Sequence, residues 1–181
     1  MYISVKKLTL MALLTAVALI VFIIEAQIPL PLPIPGAKLG LANTVTLFAL
    51  FYVGHRDGSR VPKTYLTTAN VFMILLCRII LGAAFTGRIV AFIYSITGGL
   101  LSFAAMAAMK RVVTEKQIWA CGAVGAIFHN IGQILAAMVI TGTPSIAAYL
   151  PVLIIVGIIT GIITGLIAQF TIMRLASQNN K

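Results

Sequence analysis

Residues 6–27 read KKLTLMALLTAVALIVFIIEAQ: two lysines, then an unbroken apolar run long enough to cross a membrane. A helix needs about 20 apolar residues to span the hydrocarbon of a bilayer. Working outward from this first stretch, apolar segments recur at about 8–27, 40–53, 64–83, 88–109, 118–140 and 150–173, separated by short polar breaks. With the amino terminus in the cytoplasm, Lys6, Lys7, Arg56, Arg60, Lys63, Lys110, Arg111, Lys116, Arg174 and Lys181 all fall on that side. Lys38, Arg78 and Arg88 lie toward the outside. The positive-inside rule therefore predicts six spans with both termini cytoplasmic, in an all-α integral membrane protein of the plasma membrane. The three cations left over mark where function is to be sought.

Composition agrees. The chain of 181 residues is 61% hydrophobic and 9% charged, too apolar for a soluble domain of that size. Its net charge of +10 could suggest a nucleic-acid partner, but no basic stripe or stacking aromatic motif accompanies the charge. The basic residues flank membrane spans, where topology and the anionic lipid surface account for them. Nucleic acid is excluded as a partner on that ground, and the lipid bilayer takes its place.

The first span has the basic start of a signal peptide. It runs on to Gln27 with no small-x-small cleavage pattern, so it reads as retained. The longest cytoplasmic break, around Gly54 to Lys63, is too short for a soluble domain, and a single six-helix transmembrane domain over 1–181 accounts for the chain. The two cysteines do not read as a disulfide. At the helical rise, Cys77 lies about 20 Å above the start of span 3 and Cys121 about 5 Å above the start of span 5. Both read as packing residues.

Between spans 1 and 2, Gln27-Ile-Pro-Leu-Pro-Leu-Pro-Ile-Pro-Gly36 carries proline at every second position. This pattern excludes helix and leaves an extended, polyproline-like segment, either a stiff connector or a lid over the bundle mouth. Gly36-Ala-Lys-Leu-Gly-Leu-Ala-Asn43 follows, with two glycines permitting tight turns. Because span 2 is short, part of this segment is expected to dip into the outer half of the membrane. Non-helical backbone is tolerated at that depth only when buried in protein or lining a cavity.

The stretch PGAKLGLANTVTLFAL, after a Pro-rich loop in a small six-span chain, resembles the membrane family described as heptaprenyl diphosphate synthase component I, or Gx transporter. That family in turn is similar to the substrate-binding S components of energy-coupling factor (ECF) transporters. The resemblance implies a binding subunit that works with an ECF coupling membrane subunit and its ATPases. It also implies a role for Ala12 and Ala16, since S components carry an Ala-x-x-x-Ala pattern in the first helix where the coupling subunit docks. Small residues four apart leave a flat face that lets another helix approach closely. Gly157, Gly161 and Gly165 make a longer stripe of this kind in span 6, which reads as packing inside the bundle, as do Ala104 and Ala108 in span 4.

Charges within spans are costly and usually face a cavity or a partner. Glu25 ends span 1, Arg78 lies two thirds through span 3, and Arg88 opens span 4. An ion pair from Glu25 to Arg78 or Arg88 could serve structure, yet one carboxylate cannot neutralise three cations. The surplus suits a carboxylate or phosphate ligand, for which arginine offers a two-pronged fork. Span 5 adds His129, Asn130 and Gln133, with His129 and Gln133 on one face, about 16 Å along the helix. They either bond other helices, for example at Asn70 or Thr67, or contact a ligand. Asn43, at the end of the glycine-bearing segment, completes the ligand-binding candidates with Glu25, Lys38, Arg78, Arg88, His129, Asn130 and Gln133.

Several chemistries have no residues to carry them. No phosphate-binding Gly-x-x-x-x-Gly-Lys-Ser/Thr loop is present, so energy would come from another subunit. A prenyl diphosphate synthase needs aspartate-rich clusters for magnesium, and Asp57 is the lone aspartate. His55 lies on the cytoplasmic side and cannot join His129 in a metal or haem site. The expectation is a non-enzymatic binding subunit without cofactor or metal, which captures a small anionic molecule in an outward-facing cavity. Two alternatives stand beside it: a non-catalytic membrane subunit of a heptaprenyl diphosphate or quinone pathway, and a membrane component of a flavin-linked redox assembly.

Overall fold

The computed structural model describes residues 5–28, 38–53 and 66–178. They form six α-helices: α1 (Val5–Ala26), α2 (Asn43–Val53), α3 (Thr68–Thr86), α4 (Ile89–Met109), α5 (Ile118–Thr141) and α6 (Leu150–Gln178). Short 3₁₀ turns at Glu115–Gln117 and Pro144–Tyr149 lead into α5 and α6. No strand occurs among the described residues. Local chemistry sets several boundaries. The side chain of Asn70 accepts from the backbone N–H and the hydroxyl of Thr67, which opens α3. Gly87, at φ 62°, closes it, its N–H returning to the Ala83 carbonyl.

Five of the helices are long and apolar enough to cross a membrane. Their outer faces are greasy: Ile155, Ile159, Ile163, Ile167 and Phe170 of α6 are each more than half exposed. In water such a ridge would be a liability; against lipid it is the surface the bilayer requires. The sixth helix, α2, has 11 residues and reaches only about 16 Å, half the hydrocarbon thickness. Span 2, expected from residue 40, thus begins as helix only at Asn43, and Lys38–Ala42 enters the bundle as non-helical chain.

Glycine decides how the helices meet. A Cβ on Gly161 would lie 2.7 Å from the Ala123 Cα and the Gly122 carbonyl, and one on Gly165 would lie 2.6 Å from the Trp119 Cα. These glycines let α5 and α6 touch backbone to backbone, as the span 6 stripe predicts. A second such contact holds α4 to α5, where a Cβ on Gly132 would lie 2.7 Å from the Gly98 Cα. Ala104 and Ala108 take no part, because both are exposed on the far side of α4. Their spacing is that of a packing motif, but the helix presents it outward. Cys121 is buried and donates to the Met106 carbonyl at 3.6 Å, whereas Cys77 is exposed on α3 rather than part of the core.

The core divides in two along α4 and α5. A large apolar cluster includes Leu14, Leu50, Ile74, Met106 and Cys121. A smaller one gathers Tyr94, Ile134, Ala137 and Leu153. Between them on α4 and α5 lie Ser102, His129, Asn130 and Gln133, all buried. Buried polar groups at this depth demand partners.

Candidate functional site

The buried polar layer is built around Lys38–Asn43, the segment that leads into α2. Gln133 on α5 grips it through both ends of its amide: Oε1 accepts from the Lys38 N–H at 2.8 Å, and Nε2 donates to the Lys38 carbonyl at 2.8 Å. Glu25 on α1 grips it two residues further on, its Oε1 accepting from the N–H groups of Gly40 at 2.5 Å and Leu41 at 3.1 Å. These are orphan donors ahead of a helix, and a carboxylate is their favoured partner. The side chains thus supply the backbone hydrogen bonds that non-helical chain lacks inside a membrane.

Gly40 is the fulcrum. It sits at φ 80°, where a side chain is strained, and a Cβ would lie 2.9 Å from the His129 ring. His129, about 16 Å along α5, is therefore pressed between Gly40 and Gly98, and its Nδ1 has no hydrogen-bond partner. Asn43 links three helices. Its Oδ1 accepts from Arg78 Nη2 at 3.3 Å, and its Nδ2 donates to the Ser102 hydroxyl at 3.3 Å.

The cations are poorly satisfied. Arg78 is 3% exposed, and its Nε has no partner. The Lys38 ammonium is also without a hydrogen bond and lies over the Phe22 ring, 3.0 Å from its centre. That contact is a cation–π interaction, which replaces only part of a lost hydration shell. Glu25 is the acidic group facing both, but the ion pair from Glu25 to an arginine is not how the structure uses it: its close contacts are to backbone. Two cations against one carboxylate leave a net positive charge in a buried place.

Six of the eight ligand-binding candidates converge here: Glu25, Lys38, Asn43, Arg78, His129 and Gln133. Arg88 lies at the edge of the site, the exposed residue before α4, with its charge still felt at Lys38. Asn130 faces the other way, donating to the Leu153 carbonyl of α6 at 2.6 Å, with its Oδ1 unpartnered. Thr67 and Asn70 are not partners of α5, since they bond each other at the start of α3. The proline run of the lid reading, Pro29–Pro35 with Gly36, lies outside the described residues, as do His55, Asp57 and the 54–63 loop.

Phe22 and Ser102 belong to the site without having been singled out. Leu14, Ala18, Phe22 and Glu25 form the buried stripe of α1, so the register of Glu25 already placed Phe22 beside it. Ser102 is a hydroxyl in an apolar span and fully buried, a weaker signal of the same kind.

A cavity of about 10 Å³ borders the layer at Gly40 and Asn43, bounded also by Thr44, Met106, Ala126 and Thr160. That is about the room of one water, where small-molecule sites run to about 300–1,000 Å³. No group of three His, Cys, Asp or Glu among the described residues is placed to hold a metal. Ala12 and Ala16 are both exposed on α1, away from the site.

Fold and site define a multi-pass membrane bundle with a buried cationic centre bordered by a non-helical segment. The family model for heptaprenyl diphosphate synthase component I matches residues 14–171, nearly the whole bundle. The chain belongs to that family. No curated protein and no solved structure matches it.

Proposed function

We propose that this protein is a non-catalytic membrane subunit that binds a small anionic molecule, as the substrate-binding component of a transporter energised by other subunits. The observation that carries the reading is Arg78: a guanidinium buried among α2, α3 and α4 with its Nε unpartnered, beside an ammonium in the same condition. A buried arginine with a free donor is suited to a carboxylate or phosphate oxygen. The proposal includes a plasma-membrane location, cytoplasmic termini, and docking of an ECF-type coupling subunit on the exposed Ala12–Ala16 face of α1. The proposal includes a movement of the Lys38–Ala42 segment to admit the ligand, since the cavity beside Gly40 and Asn43 has room for about one water.

The family description favours a second reading, a membrane subunit that serves a prenyl diphosphate synthase without catalysing the reaction. Both readings place an anion on Arg78. Mass spectrometry of small molecules retained by the purified protein separates a free small anion from a prenyl diphosphate. Co-purification separates ATPases from a soluble synthase. With the retained molecule as ligand, Arg78→Ala should weaken binding at least about tenfold, because a buried charge-assisted partner is lost. Lys116→Ala, at an exposed position outside the spans, should stay within about threefold of the parent. Equal affinities for Arg78→Ala and the parent would reduce Arg78 to a structural residue.

A further inference from the structure

The Gly40 and Leu41 N–H groups both donate to one Glu25 oxygen ahead of α2, and Glu25 faces Arg78 and Lys38, with Arg88 in electrostatic reach of Lys38. Backbone donors at a helix start with a positive field make a seat for an oxyanion. In this structure the seat is taken by the chain itself, by the carboxylate of Glu25. The unpartnered Arg78 Nε, in a side chain 97% buried, is a separate sign that the seat is meant for more than Glu25 supplies.

We propose that Glu25 is a built-in competitor of the ligand: its carboxylate holds the Gly40–Leu41 seat in the closed state, and the ligand's oxyanion displaces it. This rests on the anion-binding reading above and deepens it. The same Glu25 contact also holds the Lys38–Ala42 segment in the bundle. Displacing the carboxylate therefore frees one of the two side-chain grips on that segment, the other being Gln133. Ligand entry and release of the segment become one exchange, with the seat never left without an acceptor. The shared chemistry is a compact oxyanion, whether free or the headgroup of a prenyl diphosphate.

The two roles open to Glu25 predict opposite results. A residue that contacts the ligand directly weakens binding when altered; a competitor strengthens it. Glu25→Gln keeps an acceptor for the two N–H groups and removes the negative charge. Titration of detergent-purified parent and Glu25→Gln with inorganic pyrophosphate, and separately with farnesyl diphosphate, reads the difference. Expected is binding at least about fivefold tighter in the variant, the lower end of ordinary coupling between two sites' occupants. Tighter binding of farnesyl diphosphate alone assigns the oxyanion to a prenyl diphosphate; tighter binding of both assigns it to the anionic group.

Equal or weaker binding by a folded Glu25→Gln overturns the competitor role and leaves the anion site standing, provided the parent binds and Arg78→Ala does not. Failure of parent and variant to bind either anion overturns both. A measurement on the unaltered position covers the case of a variant that does not fold. Glu25 and Glu115 are the two glutamates of the chain, so carboxyl-¹³C-glutamate in a Glu115→Gln background reports Glu25 by infrared spectroscopy. Its carboxylate band should shift on addition of pyrophosphate as it loses two N–H donors. An unchanged band under saturating pyrophosphate overturns the proposal.

Discussion

Glu25 and Gln133 end on backbone rather than on one another, and this is what allows irregular chain to sit in the interior. Gln133 is matched to the Lys38 backbone at both ends, so its loss strands a part-buried N–H and a part-buried carbonyl together. Gln133→Leu should destabilise the bundle by about 1–3 kcal/mol in reversible detergent unfolding, with faster amide exchange at Lys38 than in the parent. Gln133→Glu keeps the acceptor but loses the donor, and should fall between the two. Six residues of the site were legible as out-of-place polarity in apolar spans. Helical spacing could tell that Asn130 borders His129, but not that α6 stands on that side with the Leu153 carbonyl turned inward. Phe22 was hidden because an aromatic ring in a membrane helix has the same hydropathy whether it meets lipid, core or an ammonium.

Among the elements, the boundaries of α1, α3, α4, α5 and α6 follow the apolar runs closely, since length and hydropathy suffice for a full crossing. The start of α2 was less legible. Leu39, Leu41 and Ala42 are as apolar as a helix would be, and the left-handed turn at Gly40, with Glu25 and Gln133 holding the backbone beside it, keeps them out of it. The small-residue stripes show a similar limit. Gly157, Gly161 and Gly165 face α5, whereas Ala104 and Ala108 have the same spacing and face outward. Gly161→Leu should therefore drive α5 and α6 apart and cost at least about 2 kcal/mol, read from the unfolding midpoint. Ala104→Leu, on an open face, should change stability by less than about 0.5 kcal/mol.

For the molecule as a whole, the packing of a bundle is identical whichever way up it is inserted. Orientation is written only in the charges of its breaks, and that part of the reading stands on Lys6, Lys7, Lys110, Arg111, Lys116 and Arg174 among the described residues. Gly58→Cys, in a background with Cys77 and Cys121 replaced, tests it: an impermeant thiol reagent should label the new cysteine in inverted vesicles and not in intact cells. Labelling from outside would invert the topology and place Arg78 in the cytoplasmic half.

The glycine contacts on two sides of α5 have a mechanical consequence. Where backbone meets backbone a helix has little room to roll, so α4, α5 and α6 are expected to move as one plank. The helix that carries Glu25 packs on α2 and α3. It meets them through side chains, as where the Phe22 ring fills the place of a Gly82 side chain, and side chains can change rotamer. On the proposed reading, compliance is thus concentrated on one flank of the molecule, and opening is a movement of α1, with the Lys38–Ala42 segment, against α4–α6. Hydrogen–deuterium exchange should show this as a gradient across the bundle, slowest in the middle of α5 and fastest at the Glu25 end of α1.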